Sequence, residues 1–361
     1  MNRHIFTSAV IFLVFFFVGA QPQISFNGYL DADFWSDLEG ALFTNSELDL
    51  GLFVKFTEKV SANVYATVLS ANSGSGRGFI PGGNGMPQER WVNVAFDGFD
   101  ITYKSPLGTF SVGDLVYQFG TFNYYLYKRL SMITEESFTR GIKYEIQKGN
   151  YSQSILTGVA DLNESTGDVM AVSGFDFSDD NSLYISYGIR GDVKSSFKTG
   201  SDLFMGGSYN SSIGSMISLK ADFGYSNISG ENRKNLFTIL FEPSLEVNQF
   251  TTDLTFYMLF DPDSANNLND PLFGIPDEFL VYIEPGYKLT DKAKFGLPLE
   301  FHGAELDNND DNSFWVVPTF YLFPSENVQW LLWGMVTVAV QKNISSEDLS
   351  YGLGSEIIVS F

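Results

Sequence analysis

From Gln21 to Phe361 the apolar side chains recur at every second position. In "SELDLGLFVKF", Leu48, Leu50, Leu52, Val54 and Phe56 share one face, and Glu47, Asp49 and Lys55 share the other. In "ISFNGYLDADFW", Ile24, Phe26, Leu30, Ala32 and Phe34 oppose Asn27, Tyr29, Asp31, Asp33 and Trp35. Period two is a β-strand with one apolar and one polar face. Eighteen such segments, from 24–35 to 350–361, follow one another about every 19 residues. They include long ones at 89–104, 293–305 and 312–323.

The connections are of two kinds. "TEKV", "SPLG", "QKGN", "SDDN", "SSIGS", "VNQ", "TDKA" and "FPSEN" are tight polar turns of the sort that join antiparallel neighbours. Alternating with them are longer segments at 36–45, 71–88, 118–137, 193–201, 261–277, 306–311 and 342–349, and shorter ones near 162–166 and 227–232. Every long strand has an apolar face and no helix is at hand to cover it. Closing the sheet on itself, with apolar residues toward lipid and polar ones toward a lumen, satisfies every backbone group. The pattern predicts an all-β, transmembrane, antiparallel up-and-down barrel of about 18 strands, with sixteen as the alternative. Short turns at one end and long loops at the other are the layout of an outer-membrane barrel.

One stretch breaks the alternation. In "WVNVAFDGFDITYKS" the apolar parity runs through Val92, Val94 and Phe96, then switches to Phe99, Ile101 and Tyr103. A bulge at Asp97-Gly98 shifts the register by one residue and predicts a single long strand. The rival is an Asp-Gly hairpin that splits the segment into two short strands.

The first 20 residues read differently. Met1-Asn2-Arg3-His4 leads into "IFTSAVIFLVFFFVGA", and Val18 and Ala20 stand at −3 and −1 of a cleavage site before Gln21. This predicts a secretory signal peptide over 1–20 and one barrel domain over 21–361. The longest apolar run after it, Trp330 to Val340, has eleven residues. A spanning helix needs roughly 20 and a spanning strand roughly 9–11.

Composition removes several functions. The whole chain carries a formal charge of −22, and without Arg3 the mature part has 20 basic against 43 acidic residues, or −23. Nucleic acid is repelled by such a balance. There is no cysteine, so disulfides and thiolate chemistry are absent. After cleavage His302 is the sole histidine, and no G-x-S-x-G elbow occurs. The chain reads as a non-enzyme without cofactor, and His302, in the alternating "LEFHGAEL", as a wall or rim residue. "DPDSANNLND" lacks the ligand and glycine of a calcium loop, and "GSGRGFIPGGNG" lacks the GK[ST] of a phosphate loop. Both, like "DNNDDN", read as solvated loops, and no metal site is expected.

The first half of the chain resembles the general porins of Gram-negative bacteria. The similarity rests on "ISFNGYLDADF" as the opening strand, "SELDLGLFVKFTEKVSANVYATV" as the next hairpin, "GTFSVGDLVYQFG" leading into a long third loop, and "TRGIKYEI" as the return strand. Eighteen strands rather than sixteen is closer to sugar-specific porins. The resemblance implies an outer-membrane channel for small hydrophilic solutes, sugars or cations among them, in a homotrimer. It also implies that Phe361, after alternating apolar residues, is read by the barrel-assembly machinery. In porins the third loop folds inward; here it holds Tyr124, Tyr125, Tyr127, Lys128, Arg129, Glu135 and Glu136 as constriction residues. The polar strand face supplies Asp31, Asp33, Glu47, Asp49 and Lys55 as lumen wall. The alternative function is a surface barrel that grips polysaccharide with its aromatic loops.

Overall fold

The computed structural model describes residues 22–38, 42–72, 90–117, 137–161, 166–192, 202–228, 234–260, 278–304, 312–339 and 349–361. The signal segment 1–20 and the constriction residues Tyr124, Tyr125, Tyr127, Lys128, Arg129, Glu135 and Glu136 lie outside them. Twenty strand segments make up one sheet. They are β1 (Gln23–Ser36), β2 (Leu42–Lys55), β3 (Val60–Asn72), β4 (Arg90–Ser105), β5 (Gly108–Tyr117), β6 (Ser137–Lys148), β7 (Tyr151–Asp161), β8 (Thr166–Ser178), β9 (Asn181–Asp192) and β10 (Asp202–Ile213). After these come β11 (Ile217–Ile228), β12 (Lys234–Val247), β13 (Phe250–Phe260), β14 (Glu278–Thr290), β15 (Ala293–Gly296), β16 (Leu299–Ala304), β17 (Asn312–Val316), β18 (Thr319–Ser325), β19 (Val328–Ala339) and β20 (Leu349–Ser360).

Successive spans pair antiparallel, β14 with both β15 and β16, β15 with β18, β16 with β17, and β17 and β18 with β19, and β20 returns to β1. Closure is completed below Ser360. Phe361 and Gly28 exchange both backbone hydrogen bonds, at 3.0 and 2.8 Å. The Phe361 ring then lies over Gly28, where a Cβ would sit 2.4 Å from its Cζ. A closed sheet has no edge to leave unpaired.

Twenty segments form eighteen spans, because two strands are each broken by a proline. Leu297-Pro298 separates β15 from β16, and Val317-Pro318 separates β17 from β18. Proline has no N–H to give to a ladder. Its carbonyl still accepts, and the breaks fall in one transverse row. Leu297 N–H donates to Pro285 (2.9 Å), Val317 N–H to Pro298 (2.9 Å) and Gly334 N–H to Pro318 (3.0 Å). The wall is therefore bonded across both interruptions, and the unbroken strands expected at 293–305 and 312–323 are each one span in two pieces.

The parity switch in β4 is a bulge. Tyr65 pairs with Gly98 and Ala66 with Phe96, so Asp97 is the extra residue. Val92, Val94, Phe96, Ile101 and Tyr103 thereby register with Ser70, Val68, Ala66, Ala62 and Val60 on one face of the sheet. Gly98 sits at φ +146° and Gly113, across the β4–β5 pair, at φ +139°. A Cβ on Gly98 would lie 2.5 Å from that of Asp114, and one on Gly113 only 2.1 Å from the Phe99 carbonyl. Both conditions select glycine. The β4–β5 ladder runs from Ser105↔Gly108 to Asp100↔Gly113. Just beyond it, Asp114 accepts from Phe99 N–H (3.2 Å) and from Arg140 Nε (2.6 Å), which joins the strands where their ladder ends.

The apolar face points away from the barrel axis and is open: Phe26 is 74% exposed and Val94 70%. Toward the turn end it gains paired aromatics. Phe110 lies against Tyr144, Tyr151 against Phe175 and Phe250 against Tyr287, with ring centroids 4.6, 5.2 and 5.1 Å apart. An apolar band with an aromatic girdle is the surface that a bilayer covers.

Candidate lumen wall

Because paired residues share a face, the register determines which side chains line the inside. In β1 and β2 the outer pairs are Ile24↔Val54, Phe26↔Leu52 and Leu30↔Leu48, and the inner ones are Tyr29↔Asp49, Asp31↔Glu47 and Gln23↔Lys55. All five wall residues expected from the sequence, Asp31, Asp33, Glu47, Asp49 and Lys55, therefore stand opposite the apolar face. Asp33 pairs with Glu356 across the β1–β20 seam. One carboxylate oxygen each from Asp31, Asp33 and Glu356 lies within 4.8 Å of the other two.

Asp31, Asp49 and Asp100 on this side accept from hydroxyl and amide donors. Thr67 Oγ1 donates to Asp49 (2.6 Å), and Tyr29 OH to Asp31 (3.4 Å). Asp100, which is buried, accepts from Asn63 Nδ2 (3.0 and 3.1 Å), Tyr65 OH (3.3 Å) and Thr102 Oγ1 (3.4 Å). Lys55 turns toward the rim, where its Nζ meets Glu58 at 2.7 Å.

On β11 to β18 the inner face is built otherwise. Lys220 Nζ lies 3.0 Å from Glu242 and 3.8 Å from Asp222. Lys294 Nζ lies 2.9 Å from Glu284 and 3.9 Å from Asp253, and 5.1 Å from the centre of the Tyr321 ring. Lys288 pairs with Glu246 at 2.5 Å, and Tyr282 OH donates to Glu284 at 2.5 Å. Next to these groups runs a row of Leu240, Tyr257 and Leu280, all buried, which ends across β14 at His302. His302 is thus a wall position, as its alternating context suggests.

The residues that pattern reading missed are the distant partners: Glu356, Asp100, Lys220, Glu242, Asp253, Glu284 and Lys294. A usable signal existed. Each sits next to an aliphatic or aromatic residue of the opposite face, as Glu242 does beside Phe241.

No protein-family model matches the chain, and neither does any curated protein. Solved structures do. OpdK of Pseudomonas aeruginosa, crystallised with vanillate, superposes with a TM-score of 0.59 at 10% identity, over 94% of this chain and 98% of that one. OccAB2 of Acinetobacter baumannii gives 0.58 at 10% identity over the same shares. A double variant of OccD1 (OprD) gives 0.58 at 11%, over 94% and 95%. At such identities the similarity is one of fold, and the expected porin-like barrel is the fold this chain has: it shares its closed antiparallel architecture with opdK, an outer membrane protein of Pseudomonas aeruginosa.

Proposed function

We propose that this chain is a bacterial outer-membrane channel through which small hydrophilic solutes diffuse. The observation that carries the reading is the division of the barrel's two faces. Ionisable and hydroxyl side chains stand on the inside, beside a short buried row of Leu240, Tyr257 and Leu280, while the outside is a continuous band of bare aliphatic and aromatic ones. Barrels of 16–18 strands are wide enough to hold an aqueous path. The structural neighbours support the same reading, and one of them was crystallised with a small organic solute, vanillate.

Two finer features belong to the proposal. The third long connection narrows the path with Tyr124, Tyr125, Tyr127, Lys128, Arg129, Glu135 and Glu136. The excess of wall carboxylates over lysines favours cations. The test is conductance in planar bilayers, where stepwise insertion of open channels is expected. A purified, folded protein that produces no steps overturns the channel. Replacing Tyr124, Tyr125 and Tyr127 together by Ala raises the unit conductance if the loop narrows the pore; an unaltered conductance removes it from the path.

A further inference from the structure

On the inner wall of β9 to β13, at the end of the barrel where the tight turns lie, the side chains line an open cavity of about 570 Å³. Sites for small organic ligands span roughly 300–1,000 Å³. Its rim is the β8–β9 turn with Asp180, and its floor holds Lys220, Glu242 and Asp253. Ser218 and Ser244 complete it, their hydroxyls 2.5 Å apart. We propose that this cavity is a subsite for small hydroxylated organic cations, protonated amino sugars being the model chemistry. The proposal deepens the channel reading and rests on it, in that a solute reaches the cavity through the barrel.

Charge and geometry select this class. The lysine of the cavity is already engaged, since Lys220 is clasped by Glu242 at 3.0 Å with the Asp222 carboxylate behind it at 3.8 Å. It has little left to offer an anion. Asp253 is the opposite case. Its side chain is half exposed, and Lys294 lies 3.9 Å away, drawn to Glu284 at 2.9 Å. A solute ammonium can approach Asp253 more closely than Lys294 does, and make the charge-assisted bond the protein leaves unmade. Asp180 adds a further negative charge at the entrance, and Ser212 Oγ already donates to it at 3.2 Å. The hydroxyl pair supplies donors and acceptors for a polyol. None of the cavity's lining residues is aromatic, so recognition here is by charge and hydrogen bonds rather than by stacking on a sugar face.

The test measures glucosamine binding to the detergent-solubilised protein by titration calorimetry, with glucose and glucuronate as neutral and anionic counterparts. Glucosamine is expected to bind more tightly than either. Asp253→Asn weakens it about tenfold, the scale of one charge-assisted hydrogen bond. Asp180→Asn, on an exposed turn where folding is not at stake, weakens it by a smaller factor. Lys220→Gln strengthens it, because Glu242 is released. Equal binding of glucose and glucosamine overturns the proposal, as does a glucosamine affinity untouched by both Asp253→Asn and Asp180→Asn. Bilayer conductance separates this from the channel reading. A protein that conducts but does not bind glucosamine loses the subsite alone. One that binds glucosamine but opens no conductance loses the channel alone.

Discussion

The inner wall of β1 to β5 and the inner wall of β11 to β15 both carry carboxylates, but they stabilise them by different means. Asp49 and Asp100 accept from Thr67, Asn63, Tyr65 and Thr102, all neutral. Glu242, Glu246 and Glu284 each face a lysine within 3.0 Å. A neutral donor satisfies a carboxylate's lone pairs and leaves its charge to the lumen. A lysine satisfies the lone pairs and cancels the charge as well. The first arrangement projects a field, and the second braces the wall. The same residue type therefore predicts different mutant behaviour on the two sides.

The largest effect is expected on the braced side. Lys294 and Glu284 are largely buried, with side chains 16% and 8% exposed, and Asp253 leans on the same ammonium. Lys294→Met leaves the Glu284 charge unbalanced in a poorly hydrated place, which costs about 3 kcal/mol. Denaturant unfolding of the barrel in lipid vesicles measures it. A midpoint that does not move shows that Glu284 is sustained by Tyr282 alone, and that this wall is no more braced than the other.

How much of this was readable beforehand follows from how far each cause reaches along the chain. The bulge at Asp97 was visible because the switch from Phe96 to Phe99 is a local break in period two. That Asp31, Asp33, Glu47 and Asp49 share the face opposite the apolar one was visible for the same reason: parity is a property of adjacent residues. The proline breaks were present in the sequence as Pro298 and Pro318, yet an alternating pattern runs through both, so each span read as continuous. The pairings Asp100–Asn63 and Lys294–Glu284 depend on register between strands, which turn lengths and closure set together. No single stretch of sequence contains that information. The contrast between neutral-donor and lysine-paired carboxylates was therefore out of reach until the strands were placed side by side.

A smaller effect of another kind is expected on the field-bearing side. Asp100→Asn keeps one acceptor oxygen, within reach of Asn63, and the Tyr65 or Thr102 hydroxyl that meets the new amide group can turn to accept from it, so the barrel loses about 1 kcal/mol of stability. The lumen loses a charge that no lysine among the described residues shares. The cation-over-anion permeability ratio, read as the reversal potential in a salt gradient, should fall by roughly a factor of two, the scale of a single charge acting through water over several ångströms. A substitution that lowers stability sharply while sparing selectivity reverses the roles assigned to the two walls.

The smallest effect is the sharpest check on what counts as wall. Lys55 belongs to the inner face by register, opposite Gln23, yet its ammonium turns out to Glu58 in the β2–β3 turn. The Glu58 carboxyl is held below the usual range by the hydrogen bond from Lys55 and by its charge. A carboxyl depressed in this way adds stability only above its unfolded pKa and gives it up as pH falls through the folded one. Any contribution is thus present at neutral pH and lost only in acid solution, and full exposure of Glu58 leaves it screened and small. Lys55→Gln should return Glu58 to an ordinary titration, followed by NMR, while the unfolding midpoint at neutral pH and the reversal potential stay where they were. If the reversal potential instead moves as far as in Asp100→Asn, Lys55 faces the solute path after all, and the charge of the β1 to β5 wall is compensated from its rim.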